Sequence, residues 1–258
     1  MLDKIPILRV TEKMRNDDED AVVVESNLSI VLNNQELVTL LCSPEKLEFL
    51  AVGFLCSEGL ITTKEDIRDI VLDEKKVVVA VTTREPRKFA GNILSRRLIG
   101  SSGGKGVSQN TELQQGVRKN SRIVLSCHEV FTLVDNFIGR SDIYKSTGGV
   151  HSAALCTTQK IILFSEDIGR HNAIDKIFGE CLLVDIPIEK RMLLTTGRVS
   201  SEIVLKVAKR NIPILISKSA PTTVGVKLAH DLGITLIGFV RGNKLNVYSH
   251  AWRMSNGE

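Results

Sequence analysis

MLLTTGRVSSEIVLKVAKRNIPILISKSAPTTVGVKLAHDLGITLIGFV, Met192 to Val240, decides the fold. Three short runs rich in Leu, Ile, Val and Thr (MLLTTG, IPILISKS and ITLIGFV) read as strands. Between them, SSEIVLKVAKR and PTTVGVKLAHDLG carry apolar residues at helical spacing and read as helices. Strands and helices in alternation give a sheet with helices packed on it, the α/β class.

The same logic extends outward. LNVYSH adds a strand after this stretch. Before it, HSAALCTTQKIILFSED reads as two strands around Thr158-Gln159, and RHNAIDKIFGECLLV as a helix. Ser126-Cys127-His128-Glu129 has capping-box spacing and leads into the helix VFTLVDNFIG. The first ninety residues read as a small α+β unit. AVVVESNLSIVLNNQELVTLLC alternates apolar and polar residues around Asn33-Asn34, a hairpin signal because Asn tolerates positive φ. Ser43 reads as an N-cap with Pro44 at the first helical position, and Gly59 as the stop. IRDIVLDEKKVVVAVTT reads as a strand pair and PRKFAGNILSRRLI, Pro86 to Ile99, as a helix. The organisation expected is a small α+β domain over 1–98, a flexible Gly/Ser/Gln loop over 99–120 and an α/β domain over 121–258.

Composition narrows the function classes. The chain has 258 residues, 43% hydrophobic and 25% charged, ordinary for a globular protein. No apolar run reaches the ~18 residues of a membrane span. The first twenty residues lack the apolar core and cleavage site of a signal peptide, so the cytoplasm is the expected compartment. A net charge of +4 without basic blocks suits a small anionic ligand better than nucleic acid. Five widely spaced cysteines, with no C-x-x-C pair, argue against a disulfide framework and against a Cys/His zinc site.

Five segments concentrate polar chemistry. Ser101-Ser102-Gly103-Gly104-Lys105-Gly106 superficially matches a phosphate loop. Its glycine spacing is one residue short, however, and Gly106 stands where the metal-binding hydroxyl belongs. In SEDIGRHNAIDK, Ser165 to Lys176, a strand ends in Glu166-Asp167 and Arg170, His171 and Asn172 open a helix. His171 suits acid–base work near neutral pH. The plainer reading is that Asp167 caps the helix and Arg170 pairs with Glu166. In TTGRVSSE, Gly197 and Arg198 precede a helix N-terminus, a setting for an anion, unless Ser200 is simply a cap. SKSAPTTVG repeats this logic around Ser219, so two such turns side by side would form one crevice. GFVRGNKLNVYSH places Arg241 and Lys244 about a turn, either as a basic hairpin or facing phosphates.

In order, GGVHSAALC, SEDIGRHNAIDK, TTGRVSSEIVLKVA, IPILISKSAPTTVGVKLA and GITLIGFVRGNKLNVYSH resemble the motifs of the formate dehydrogenase accessory sulfurtransferases, the FdhD/NarQ family. LAVGFLCSEGLI is similar too, and the resemblance runs from about Val23 to Tyr248. It implies a cytidine-deaminase-like α/β sandwich in the C-terminal part, without the deaminase zinc ligands. It also implies a sulfur carrier. Such a protein takes persulfide sulfur from a cysteine desulfurase and passes it to the molybdenum or tungsten bis-molybdopterin guanine dinucleotide cofactor. The cofactor then enters the formate dehydrogenase catalytic subunit. Homodimers that bind the guanine nucleotide ends are implied, with Phe239, Val240, Arg241, Gly242, Asn243 and Lys244 matching the binding segment. No nucleic acid, membrane or zinc is implied as a partner.

One position departs from the family pattern. The family's persulfide cysteine belongs in the 99–120 loop, where this chain has Gly103 among Ser101, Ser102 and Gly104, and no cysteine lies between Cys56 and Cys127. A persulfide needs a thiolate, which neither Ser nor Gly supplies. Cys127, near a helix start, is the candidate substitute. Cys42, Cys56, Cys156 and Cys181 read as core residues. A sulfurtransferase using Cys127, a non-catalytic chaperone for the cofactor, and loss of activity all stay open. A deaminase-like hydrolase would need a metal, for which the sequence has no ligand set.

Overall fold

The computed structural model describes residues 1–85, 97–99 and 123–255. The chain opens with β1 (Leu2–Val10) and β2 (Arg15–Val23), an antiparallel ribbon in unbroken register from Leu2↔Val23 to Val10↔Arg15. Arg15–Asp20 is polar throughout, so no alternation announced this ribbon in the sequence. A five-stranded sheet follows, built from β3 (Ser26–Leu32), β4 (Gln35–Cys42), β5 (Ile67–Asp73), β6 (Val78–Thr83) and β7 (Arg97–Ile99), ordered β5-β6-β3-β4-β7. Asn33 and Asn34 form the β3–β4 turn with φ of 49° and 65°, the left-handed pair a two-residue hairpin requires.

Two readings of this unit are corrected. The helix expected to begin at Ser43-Pro44 is α1 (Leu47–Glu58), and the residue before it is Lys46 at φ 54°. Ser43 is fully buried and serves a distant segment instead. Its N–H donates to Asp167 Oδ2 (3.1 Å), its hydroxyl accepts from the Ile168 N–H (3.1 Å), and its carbonyl accepts from Lys176 Nζ (3.2 Å). Gly59 ends the helix as expected, at φ 78°. The helix expected over 86–99 does not reach its end: Arg97–Ile99 pair parallel with Val38–Leu40 of β4. The free edge of β4 supplies a ladder that overrides the local pattern. Residues 86–96 lie outside the described residues, as does the 99–120 loop apart from Ile99.

The second sheet carries the stretch from Met192 to Val240. α2 (Cys127–Gly139) starts at the Ser126–Glu129 capping box, with the Ser126 N–H donating to Glu129 Oε2 (2.8 Å). A short α3 (Asp142–Thr147) leads into β8 (His151–Cys156), β9 (Ile161–Asp167) and α4 (Arg170–Leu183). Then come β10 (Met192–Thr195), α5 (Ser201–Lys209), β11 (Ile214–Ser217), α6 (Thr223–Asp231), β12 (Thr235–Arg241) and β13 (Lys244–Ser249). The sheet order is β13-β12-β11-β10-β8-β9. β10, β11 and β12 run parallel, and the other pairings are antiparallel. Alternate side chains face opposite layers. Leu155, Leu193, Leu215 and Leu236 pack against α4, α5 and α6, whereas Ala154, Leu194, Ile216 and Ile237 pack against α2.

The two sheets meet through α1 and α4, which approach at backbone contact. A Cβ on Gly53 would lie 1.8 Å from the Asp175 carbonyl oxygen, and one on Gly179 would lie 1.9 Å from that of Phe49. Only glycine fits at these two places. Polar links reinforce the seam. Lys176 Nζ sits 2.7 Å from Asp167 Oδ2, both side chains fully buried. Ser57 donates to Asp175 Oδ1 (2.6 Å) and Asn172 Nδ2 to the Leu41 carbonyl (2.8 Å).

Candidate functional site

The parallel strands β10, β11 and β12 end side by side, and the turns after them interlock. The Val199 N–H donates to the Ala220 carbonyl (3.1 Å), the Thr222 N–H to the Val199 carbonyl (2.9 Å), and the Ser217 hydroxyl to the Gly197 carbonyl (2.7 Å). β8 runs antiparallel to β10, so its first residues lie at this same edge, and the Thr196 N–H donates to the Ser152 carbonyl (3.1 Å). The crevice outside the carboxyl ends of parallel strands is where open α/β sheets bind ligands.

A cavity of about 280 Å³ lies there. Ser152, Thr196, Lys218, Ser219 and Arg241 line it from the strand ends, and Ile138, Ser141 and Tyr144 from the α2–α3 side. A smaller hollow of about 150 Å³ adjoins it, sharing Ile138, Lys218 and Arg241 and adding Val240 and Gly242. Among the described residues that line the larger cavity, the charged side chains are Lys218 and Arg241, both cationic.

The structure therefore brings Ser219, Val240, Arg241 and Gly242 together. Phe239 is 37% exposed and sits at φ 53° in an irregular stretch of β12, with the Arg241 guanidinium carbon 5.7 Å from its ring centroid. A bulky side chain at positive φ marks a position fixed by its surroundings. Asn243 and Lys244 are exposed at the hairpin turn, Lys244 across from Arg241. Gly197 lies against Arg170, where a Cβ would come 2.7 Å from the Arg170 Cβ. Arg198 is exposed. Burial, with the positive charges of Arg170 and Arg198, pulls the pKa of His151 below the usual imidazole range.

His171 lies beneath this edge and is 7% exposed. Burial first, then the charges of Lys206, Arg170 and His151, lower its pKa to about 3. Glu202 Oε2 lies 3.1 Å from His171 Nε2 but outside hydrogen-bonding alignment, and neither ring nitrogen has a hydrogen-bond partner among the described residues. Burial thus favours the neutral form of the imidazole. Asp167 does not cap α4 directly. Gly169 is the N-cap residue, and Asp167 Oδ1 accepts from the Gly169 N–H (2.8 Å) and Asn172 Nδ2 (2.9 Å).

Cys127 is the exposed cysteine, at the first position of α2. Ile138, which lines the cavity, is near the other end of that helix, about 16 Å away along its axis. The other four thiols are buried. Desolvation raises Cys42, Cys156 and Cys181 to about 12 and Cys56 to about 11, so none is a ready nucleophile. Gly103 lies outside the described residues. Among the described residues no group of three or more His, Cys, Asp or Glu is placed to hold a metal ion, and no helix is long and apolar enough to cross a membrane.

Sequence reasoning missed Ser141, Ser152 and Lys218. Ser141-Asp142 after Gly139 is a helix-start pattern that could have revealed α3. Ser152 sits inside an apolar strand run, where nothing local distinguishes it.

Fold and crevice define a mixed α/β protein with a cationic crevice at the carboxyl ends of its central parallel strands. The chain belongs to the FdhD/NarQ family, whose model matches residues 23–255. It is 42% identical over 240 residues to the sulfur carrier protein FdhD of Bacillus subtilis, covering 92% of this chain and 91% of that one. It is 36% identical over 255 residues to the FdhD of Staphylococcus aureus, covering 98% and 96%. A solved structure described as a formate dehydrogenase accessory protein from Desulfotalea psychrophila superposes with a TM-score of 0.82 at 25% identity, covering 98% of this chain and 99% of that one.

Proposed function

We propose that the protein is a sulfur carrier in formate dehydrogenase maturation. Its cargo is the molybdenum or tungsten bis-molybdopterin guanine dinucleotide cofactor, one nucleotide end of which it holds in the crevice. The observation that carries the reading is the pairing of Lys218 with Arg241 at the strand ends, a setting for phosphates. The cavity's size suits one nucleotide end rather than the whole cofactor. The relatives' names support the sulfur-carrying role. The C-terminal half is read as a cytidine-deaminase-like sandwich, a likeness its mixed sheet between two helical layers supports.

Cys127 carries the sulfur in this reading. Its thiolate attacks the terminal sulfur of a cysteine desulfurase persulfide. A new S–S bond forms on Cys127, the donor's S–S bond breaks, and the desulfurase thiolate leaves. The protein acts in the cytoplasm as a homodimer and delivers the cofactor to the formate dehydrogenase catalytic subunit.

A second reading is a non-catalytic chaperone for the same cofactor. The distance from Cys127 to the cavity favours it, as does Gly103 at the place of the family cysteine. Intact-protein mass spectrometry after incubation with a cysteine desulfurase and cysteine separates the two. The sulfur-carrier reading expects a 32 Da adduct (about one sulfur atom) on Cys127, removed by reductant and missing in Cys127→Ser. No adduct, with the desulfurase active on a control acceptor, leaves the chaperone.

A further inference from the structure

A hollow of about 490 Å³ lies before the amino ends of β10 and β11, at the end of the sheet away from the crevice. Small-molecule sites span ~300–1,000 Å³. Thr62–Glu65 of the first unit wall one side, and the turns after α4 and α5 wall the other. Leu182, Ile186 and Ile188 give it an apolar lining continuous with the two cores. Its charges are unequally matched. Lys64 Nζ lies 2.5 Å from Asp185 Oδ2, an ion pair joining the two units on the wall. Lys209 Nζ donates to the Ser57 carbonyl (2.6 Å). Arg210 also lines the hollow, but among the described residues its guanidinium has neither a hydrogen-bond nor an ion-pair partner. The guanidinium carbon lies 5.9 Å from the ring centroid of fully buried Phe178, a stacking contact that holds the head group at the wall. Glu65 and Glu189, the other acids of the lining, are exposed and make no ion pair with it. A partly buried donor fork without an acceptor is costly unless a ligand supplies one. A planar fork beside an aliphatic wall suits an oxyanion carried on a short apolar chain.

We propose that this hollow is a second ligand site, for a small molecule with an oxyanion head, carboxylate or phosphate, on a short aliphatic body. Arg210 holds the head, and Leu182, Ile186 and Ile188 take the body. The walls belong to both units, so a molecule bound there also bridges the seam between them. The site stands apart from the crevice, and its failure leaves the cofactor reading untouched.

Ligand-observed NMR titration of the full chain with pentanoate, butyl phosphate, acetate and pentanamide tests it. Pentanoate or butyl phosphate is expected to bind. Binding of pentanoate alone assigns the head to a carboxylate, and binding of butyl phosphate alone to a phosphate. Acetate lacks most of the aliphatic body and pentanamide lacks the charge, so each is expected to bind roughly tenfold or more weaker than the better of the two. Arg210→Gln is expected to weaken that binding by roughly ten- to a hundredfold, with its thermal unfolding followed alongside, whereas Lys218→Ala in the crevice leaves it unchanged. Loss in Lys218→Ala with retention in Arg210→Gln places the anion in the crevice and overturns the second site. Equal binding of pentanamide and both anions by the unaltered protein overturns the role of Arg210, even if its variant fails to fold. Absence of binding by both pentanoate and butyl phosphate overturns the proposal outright.

Discussion

Arg241 and Lys218 reach the crevice from neighbouring strand ends, and each touches both hollows. Replacing either by Ala is expected to weaken GDP binding roughly tenfold and to flatten its dependence on salt, as titrations at low and high ionic strength would show. Equal affinity in both variants would remove the phosphate from this edge. His171 makes a different prediction. Its pKa is about 3 when folded, against the ordinary value near 6.5 when unfolded. Between these values the unfolded chain binds the extra proton, so His171 contributes stability that is complete above about pH 6.5 and lost as pH falls toward 3. Glu58 and Glu166, whose pKa values burial raises, act in the opposite sense. Comparing urea midpoints of the unaltered protein and His171→Gln across pH 4–7 cancels them, and the variant is expected to show the shallower acid slope. Arg241 was legible because a basic pair about a glycine turn is a local pattern. Ser43 was not, because its partners are Asp167, Ile168 and Lys176, far along the chain.

At the scale of elements, α1 and α4 are the pair on which the fold turns. Gly53→Ala and Gly179→Ala put a methyl group into a backbone carbonyl of the facing helix, which no rotamer change relieves. In an exposed helix the same change would stabilise by up to ~1 kcal/mol. Here each is expected to cost about 3 kcal/mol or more, read as a lowered urea midpoint, because the helices must part. An unchanged midpoint would mean the contact is looser than the structure has it. α2 was legible because its capping box and apolar spacing are written within the segment, and α4 because a glycine turn separates it from the strand before it. The β1–β2 ribbon was not, since β2 opens with polar residues whose partners, the β1 backbone and the Arg9 and Lys4 side chains, lie on another strand. β7 failed for the same reason: a sheet edge decided its form.

At the scale of the whole molecule, the Asp167–Lys176 pair ties the first unit to the second through Ser43. Lys176→Met keeps the side chain's length and leaves Asp167 charged and buried. Removing one partner of such a pair costs ~3–5 kcal/mol. The expected result is a urea transition displaced by that amount, with both sheets still melting together. Two separate transitions would show the sheets to be independent. The alternation of strands and helices was enough to place the crevice at one end of the second sheet, since topology follows from the order of elements. The register of one sheet's helix on the other's was not, because glycine pairs report close approach only once the partner is known.

The backbone contact between α1 and α4 also bears on how the chain is made. More than a hundred residues separate Glu58 from Arg170. At ~5–20 residues per second on the ribosome, α1 emerges on the order of ten seconds before the helix that covers it. During that interval β3 to β6 can already cover one side of α1, but the strip around Gly53 that meets α4 has no partner from that helix. Until synthesis has passed Leu183, any shielding of that strip must come from something other than its native partner.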